Sequence, residues 1–235
     1  MHIFGLPIAN HTREEILSFV REILAQSTYR RVVTLNPEFL LLAEKEQQFR
    51  ECLGRADYQV IDGVGLGLAF ALSGGFLRGR FPGVDLLEFI LEYAQQQNLK
   101  VFFAVRSDGL SHADEVLSAV RHRYPTLQTE ARDLHPDGFF LPSKAQSADI
   151  IVSNFGAPFQ EYFLEGVRRL PGSLKLGIGV GGSFDYLTNK LRRAPVWMRM
   201  VGGEWIYRLW QQPWRLPRIL RATVLFPIRL FFARI

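Results

Sequence analysis

Cysteine is nearly missing from this chain: Cys52 is the only one in 235 residues. An intrachain disulfide and a zinc site built from several cysteines are thereby excluded, and the composition fits a reducing compartment. Cys52 falls in or just after a helical stretch and reads as a small buried residue. Long apolar runs are also lacking. No stretch of about 18 uncharged apolar residues occurs. The nearest approach, Ala222–Ala233, is interrupted by Pro227 and Arg229. Met1–Asn10 has neither the basic start nor the apolar run of a secretory signal. There is no Asp-x-Asp pair, no P-loop, no G-x-S-x-G elbow and no two histidines at helical metal spacing. No metal site or cofactor is therefore expected. Carboxylates stop altogether at Glu204.

What is present is an ordinary globular composition, 48% hydrophobic and 22% charged, with enough length for one domain or one domain plus an appendage. Charge is unevenly spread. Tyr186–Ile235 holds ten Lys/Arg against Glu204, a net of +9, so the preceding residues sum to about −4 within a total of +5. The same segment holds all four tryptophans, Trp197, Trp205, Trp210 and Trp214. Basic side chains among amphipathic rings suit a surface that is anionic outside and apolar beneath. RNA or single-stranded DNA is also compatible with such a tail. The Leu, Ile and Phe between the arginines of Leu216–Ile235 favour lipid, and no nucleic-acid partner is expected. The expected surface contacts are Arg221, Phe226, Arg229, Phe231 and Phe232. The sequence divides into a core over 1–195 and an appendage over 196–235. A homo-oligomer is compatible with it.

Five short apolar runs predict strands at Arg31–Leu35, Gln59–Asp62, Lys100–Val105, Asp149–Asn154 and Lys175–Val180. Most are continuous rather than alternating, as in strands covered on both faces. Helical patterns at Thr12–Ala25, Pro37–Arg50, Asp85–Gln97, His112–Arg123 and Phe159–Arg169 lie around and between them. The alternation predicts an α/β domain with a largely parallel sheet flanked by helices. Ligands of such sheets bind beyond the carboxyl ends of the strands.

Polar signals fall at those ends. Thr34 and Asn36, before Pro37, can cap a helix or hold a ligand. Asp62, followed by Gly63 and Gly65, can act as a general base, a ribose ligand or a turn former. Arg80 can clamp an anion or pair at the surface, and Asp85 is placed to cap the next helix. Gln160 can offer its amide to a sugar hydroxyl or a base edge, or simply face solvent in a first helical turn, with Glu161 favouring the helix dipole. The run Gly177 to Asp185, with Gly181 and Gly182 at its tip, permits either close approach of a phosphate or nucleoside or a tight turn. Arg208, Arg215 and Arg218 can share a helical face, interrupted by Pro213 and Pro217, and so meet a diphosphate or anionic lipid.

Taken in order, Thr34-Leu35-Asn36-Pro37, Asp62-Gly63-Val64-Gly65, Gly83-Val84-Asp85, Pro158-x-Gln160-Glu161, Gly179-Val180-Gly181-Gly182-x-Phe184-Asp185, Arg193-Ala194-Pro195-x-Trp197 and Glu204-Trp205-x-Tyr207-Arg208-Leu209 resemble the WecG/TagA/CpsF glycosyltransferase family, from about Ile3 to Leu220. The resemblance implies a Rossmann-like core of the GT-E type. It also implies an inverting, metal-independent transfer from a UDP-sugar donor to a polyprenyl-diphosphate-linked saccharide in exopolysaccharide or cell-envelope synthesis. The donor would be of the UDP-N-acetylmannosamine or UDP-glucose type. By that likeness Asp62 is the catalytic base, and Thr34, Asn36, Arg80 and Gln160 line the pocket. Asp185, Gly181 and Gly182 hold the nucleotide, and Arg208, Arg215 and Arg218 complete the site when the appendage docks. The place implied is the bacterial cytoplasm, peripheral on the inner face of its membrane. Trp205–Arg218 would close over the donor and Arg221–Ile235 would hold the lipid surface. Departures from the family pattern stand at Phe159, where Lys is usual, at Val105-Arg106 in place of Gly-Gly, at Gly203 in Gly202-Gly203-Glu204-Trp205, and at Trp214 in place of Arg.

Overall fold

A computed structural model describes residues 1–63, 65–138, 143–200 and 202–232, without the side chains of 143, 144 and 200. Val64 and the last three residues of the expected lipid-holding segment lie outside the described residues. The chain opens with an antiparallel hairpin of β1 (His2–Ile3) and β2 (Leu6–Pro7), turned by Phe4 and Gly5, both at positive φ. Helix α1 (Arg13–Ala25) starts from a capping box in which Thr12 and Glu15 satisfy each other's backbone N–H. Next come β3 (Arg30–Leu35), α2 (Pro37–Lys45), α3 (Gln47–Gly54), β4 (Tyr58–Ile61), α4 (Gly65–Leu72) and α5 (Gly83–Gln96). They are followed by β5 (Lys100–Arg106), α6 (Ala113–Arg123), β6 (Gln128–Leu134), β7 (Ile150–Ser153), α7 (Phe159–Val167), β8 (Leu176–Gly179) and α8 (Ser183–Leu187). The basic tail forms α9 (Val196–Met200), α10 (Glu204–Gln211), α11 (Leu216–Leu220) and, after a π-helical turn at Arg221–Leu225, α12 (Phe226–Phe232).

Six strands make one parallel sheet in the order β4-β3-β8-β7-β5-β6. Alternate residues of each strand feed opposite faces. Val32, Val60, Phe103, Val152 and Ile178 pack with α1, α5, α6 and α8 on one face. On the other, Val33, Leu35 and Ile61 meet α2, α3, α4 and α12, while Phe102, Ala104 and Ile151 meet α7. The expected α/β class and flanked parallel sheet are therefore present, with a Rossmann-like arrangement. β3 leads to α2 on one face and β8 to α8 on the other, so the sheet opens a crevice between their carboxyl ends.

Several elements differ from expectation, three of them for a plain physical reason. β6 escaped the apolar-run pattern because it is an edge strand whose residues are mostly polar and exposed, as edges that resist further pairing tend to be. The single helix expected over Pro37–Arg50 is two, broken where Glu46 takes an extended backbone. Asp85 does not cap α5: the helix begins two residues earlier, after Pro82, and Asp85 pairs with Arg193 instead. The tail packs back onto the core: Phe226 and Leu230 of α12 are buried beside α4, and Phe4 meets the Phe226 ring edge-on at 6.2 Å.

Candidate active site

Asp62 emerges from β4 into the crevice, with its N–H donating to the Leu35 carbonyl at 2.9 Å. The Gly63-x-Gly65 turn that follows lies against Pro37: a Cβ on either glycine would come within 2.6 and 2.7 Å of its ring. Chain packing alone thus requires glycine at both positions. The Asp62 carboxylate accepts from the Gly83 N–H at the start of α5. Burial pushes its pKa up from 3.8 to about 6, against the pull of Arg80, the Gly83 bond and Arg208, and with a smaller upward push from Glu204. Two tail residues therefore lie close enough to act on this carboxylate.

Beside it, the Thr34 hydroxyl donates to the Gly179 carbonyl at 3.0 Å, tying the tips of β3 and β8. Asn36 caps α2, its Oδ1 accepting from the N–H groups of Glu38 and Phe39. Gln160 does not face solvent. It is 1% exposed, its Oε1 accepts from the N–H groups of Gly156 and Gly181, and its Nε2 donates to Glu161. Gly179 is what lets it lie across β8, because a Cβ there would stand 2.3 Å from Gln160 Nε2. Gly177 makes the same room for Tyr29, at 2.0 Å from its hydroxyl. Glu161 is buried too, and that burial raises its carboxyl to about 8, offset in part by the Gln160 bond and by Arg31. Arg31 is wholly enclosed, paired with Glu165 at 3.2 Å and donating to the Cys52 carbonyl. Nothing in the local sequence distinguishes these buried charges from surface ones. They declare themselves only through the sheet that covers them.

The β8 exit turns through Gly181, at φ +51°, into Gly182. Arg208 of α10 crosses this point: a Cβ on Gly182 would sit 2.4 Å from Arg208 Nη2, and the guanidinium lies 5.4 Å over the Tyr186 ring. Asp185 is buried, accepting from the Ser111 hydroxyl at 2.9 Å. Arg215 joins the cluster. Burial first, then Arg208 and Arg218, lower its pKa to about 10, while Asp185 and Tyr186 support its charge. Nε and Nη2 of Arg208 and Nε of Arg215 are buried without a hydrogen-bond partner, as is Oε1 of Gln212. Buried donors on mutually repelling cations suit an anionic ligand. Arg218 differs from the other two, because it is held in an ion pair by Glu38 of α2. Arg193, to which the sequence reading gave no role, ties the segment before α9 to Asp85 in the first turn of α5, the turn whose Gly83 holds Asp62. Among the described residues no three His, Cys, Asp or Glu side chains cluster in the manner of a metal site.

Of the five residues assigned to a lipid surface, Arg221, Phe231 and Phe232 are exposed, and Arg229 is exposed but lies 3.6 Å from Glu44. Phe226 is a correction. Its ring is fully buried against Phe4 and α4, so it stabilises the core and cannot enter a membrane from this conformation.

A doubly wound α/β protein that sets one carboxylate and a knot of arginines at its switch crevice has the makeup of a group-transfer enzyme for phosphorylated substrates. The profile of the Glycosyl transferase WecG/TagA/CpsF family matches residues 1–235, and the chain belongs to that family and is a glycosyltransferase. It is similar to an N-acetylglucosaminyldiphosphoundecaprenol N-acetyl-beta-D-mannosaminyltransferase of Bacillus subtilis (strain 168), 27% identical over 228 residues, covering 93% of this chain and 86% of the relative. A protein of the same description from Bacillus spizizenii (strain ATCC 23059 / NRRL B-14472 / W23) is 29% identical over 218 residues, 88% of this chain and 82% of that one.

Proposed function

We propose that the enzyme moves a hexosyl group, N-acetylmannosamine by likeness to the Bacillus relatives, from its UDP donor to a sugar hydroxyl of a polyprenyl-diphosphate-linked saccharide. The observation that carries this reading is the placement of Asp62 beside Arg80 and Arg208 at the carboxyl ends of β3, β4 and β8. Asp62 takes the proton of the acceptor hydroxyl as that oxygen bonds to the anomeric carbon. The bond from that carbon to the UDP oxygen breaks on the opposite side, and the configuration inverts. A carboxylate with a pKa near 6 is ionised at neutral pH and still basic enough to help. Arg208 and Arg215 receive the charge that develops on the departing diphosphate, in the place a metal ion takes in other transferases. Gly181, Gly182 and Asp185 supply the nucleotide wall. Gln160 acts by fixing the Gly181 N–H rather than by touching sugar, since both ends of its amide are already bonded inside the protein.

The protein works, in this reading, at the inner face of the cytoplasmic membrane. Among the described residues no helix is long and apolar enough to cross one, while Trp210, Trp214, Phe231 and Phe232 stand exposed beside basic residues. The test is UDP release from a panel of UDP-sugars, with polyprenyl-diphosphate N-acetylglucosamine as acceptor. Turnover is expected with UDP-N-acetylmannosamine. Asp62→Asn should lower kcat by about 10²–10⁴ without changing the melting temperature downward. In the wild type the rate should climb with pH through about 6 and then level, because only the ionised carboxylate accepts the proton. Wild-type turnover by the Asn variant would remove Asp62 from the chemistry.

A further inference from the structure

Helix α4, Gly-Leu-Gly-Leu-Ala-Phe-Ala-Leu, has no polar side chain at all, and it begins three residues after Asp62. A helix that is apolar all round is normally covered on every side. Here Leu66, Ala69 and Phe70 are buried in the core, but Leu68 and Leu72, one turn apart, are 41% and 49% exposed. The loop that follows carries Phe76, 78% exposed. α4 and α12 lie in contact on the same core cluster, and the Ala222 carbonyl approaches Gly65 at the start of α4. With Phe226 and Leu230 turned inward, α12 and the turn before it present Val224, Ile228 and Phe231 outward. Two neighbouring helices therefore bury one apolar face each and leave another in the open.

Charge indicates what covers this surface. Residues 63–84 hold Arg78 and Arg80 and no acid, and residues 205–235 hold six arginines and no acid. Arg208 and Arg215 are taken up by the site, whereas Arg78, Arg218, Arg221 and Arg229 are exposed along the apolar surface, three of them beside Glu15, Glu38 and Glu44 at its border. An apolar surface edged by guanidinium groups, with no carboxylate of its own segments among them, is complementary to an anionic headgroup layer with hydrocarbon beneath. We propose that α4 and the loop through Phe76 form, with the outer face of 216–232, one surface that inserts into an anionic lipid bilayer. This goes beyond the tail as the lipid-holding segment and rests on the membrane reading above. Its consequence is spatial. α4 is about 12 Å long at the helical rise, so the bilayer would lie within roughly one such length of Asp62. An acceptor held by its lipid could then present its sugar to the carboxylate without leaving the membrane.

Cys52 is buried, so a cysteine introduced at the surface can be labelled selectively. Phe76→Cys, Phe231→Cys and, as a control on the exposed face of α6, Ser118→Cys would each carry an environment-sensitive dye. They are mixed with vesicles of equal parts phosphatidylglycerol and phosphatidylcholine bearing quenchers on the acyl chains. Quenching at 76 and at 231, with none at 118, is the expected result. Leu72→Ser/Phe76→Ser should in addition weaken vesicle association by at least about tenfold, since two large apolar side chains are lost from the contact. Quenching at 231 with position 76 as open as 118 overturns the proposal and leaves the tail reading standing. No quenching at either position overturns both. Shielding of position 76 that needs no vesicles and grows with protein concentration assigns the face to a second copy and overturns it as well.

Discussion

Gly179 and Gly182 stand on β8 and its exit turn, and a methyl group would do different damage at each. At Gly179 it meets Gln160, whose amide holds the Gly156 and Gly181 N–H groups and cannot move without freeing them. At Gly182 it meets the far end of Arg208, which can swing away. Gly179→Ala should therefore cost about 1–3 kcal/mol in a denaturant melt, whereas Gly182→Ala should melt like wild type and lose most of its turnover. Equal loss of stability in both would show that Arg208 is not free to yield. Glu161 offers a second test through pH. Its carboxyl is raised from 4.5 to about 8, so the folded protein binds that proton more tightly than the unfolded chain. The stability it contributes is full below about 4.5 and is lost as pH rises through about 8. Glu161→Gln keeps an oxygen for Gln160 to bond and has no charge to bury. It should match wild type in acid and exceed its melting temperature above about pH 8, and parallel melting curves for the two proteins across that range would refute the burial argument.

Among elements, those with a dense apolar signal were legible: β3, β5, β7 and β8 start and stop within a residue or so of the apolar runs. β6 was not, because its pairing with β5 is carried by backbone hydrogen bonds while its side chains remain mostly polar. The site divides the same way. Asp62, Thr34 and the glycine tip sit where strand ends are bound to fall. That Gln160 is enclosed depends on the exit of β8 folding over it, and that Arg218 is engaged depends on Glu38, 180 residues away, which no local pattern reports. α12 shows the limit most plainly, since its phenylalanines read alike in sequence and are sorted only by the face that meets α4. Phe226→Ala should cost about 3–5 kcal/mol as a core cavity. Phe231→Ala/Phe232→Ala should leave the melt unchanged and weaken vesicle binding. The reverse pattern in paired melting and sedimentation experiments would mean that α12 does not dock as described.

At the scale of the molecule, charge is segregated: the first 185 residues are net acidic and the remainder strongly basic. The strand order across the sheet could not be read from the chain, but this polarity could. Attraction of that end to anionic vesicles should collapse between ~0.01 and ~1 M salt, as the Debye length falls from ~30 to ~3 Å. Turnover of a water-soluble acceptor analogue should change far less. Salt-insensitive binding would leave apolar insertion as the whole of the attachment.

The Phe4–Phe226 contact joins a turn in the first hairpin to the start of the last helix. These two rings are far apart in sequence, and a contact between them carries the loop-closure cost of everything that lies between. The core under α4 therefore stays unfinished until Phe226 has docked. A chain in which α12 is undocked exposes that core, and the surface able to meet a membrane takes shape only when the two helices come together.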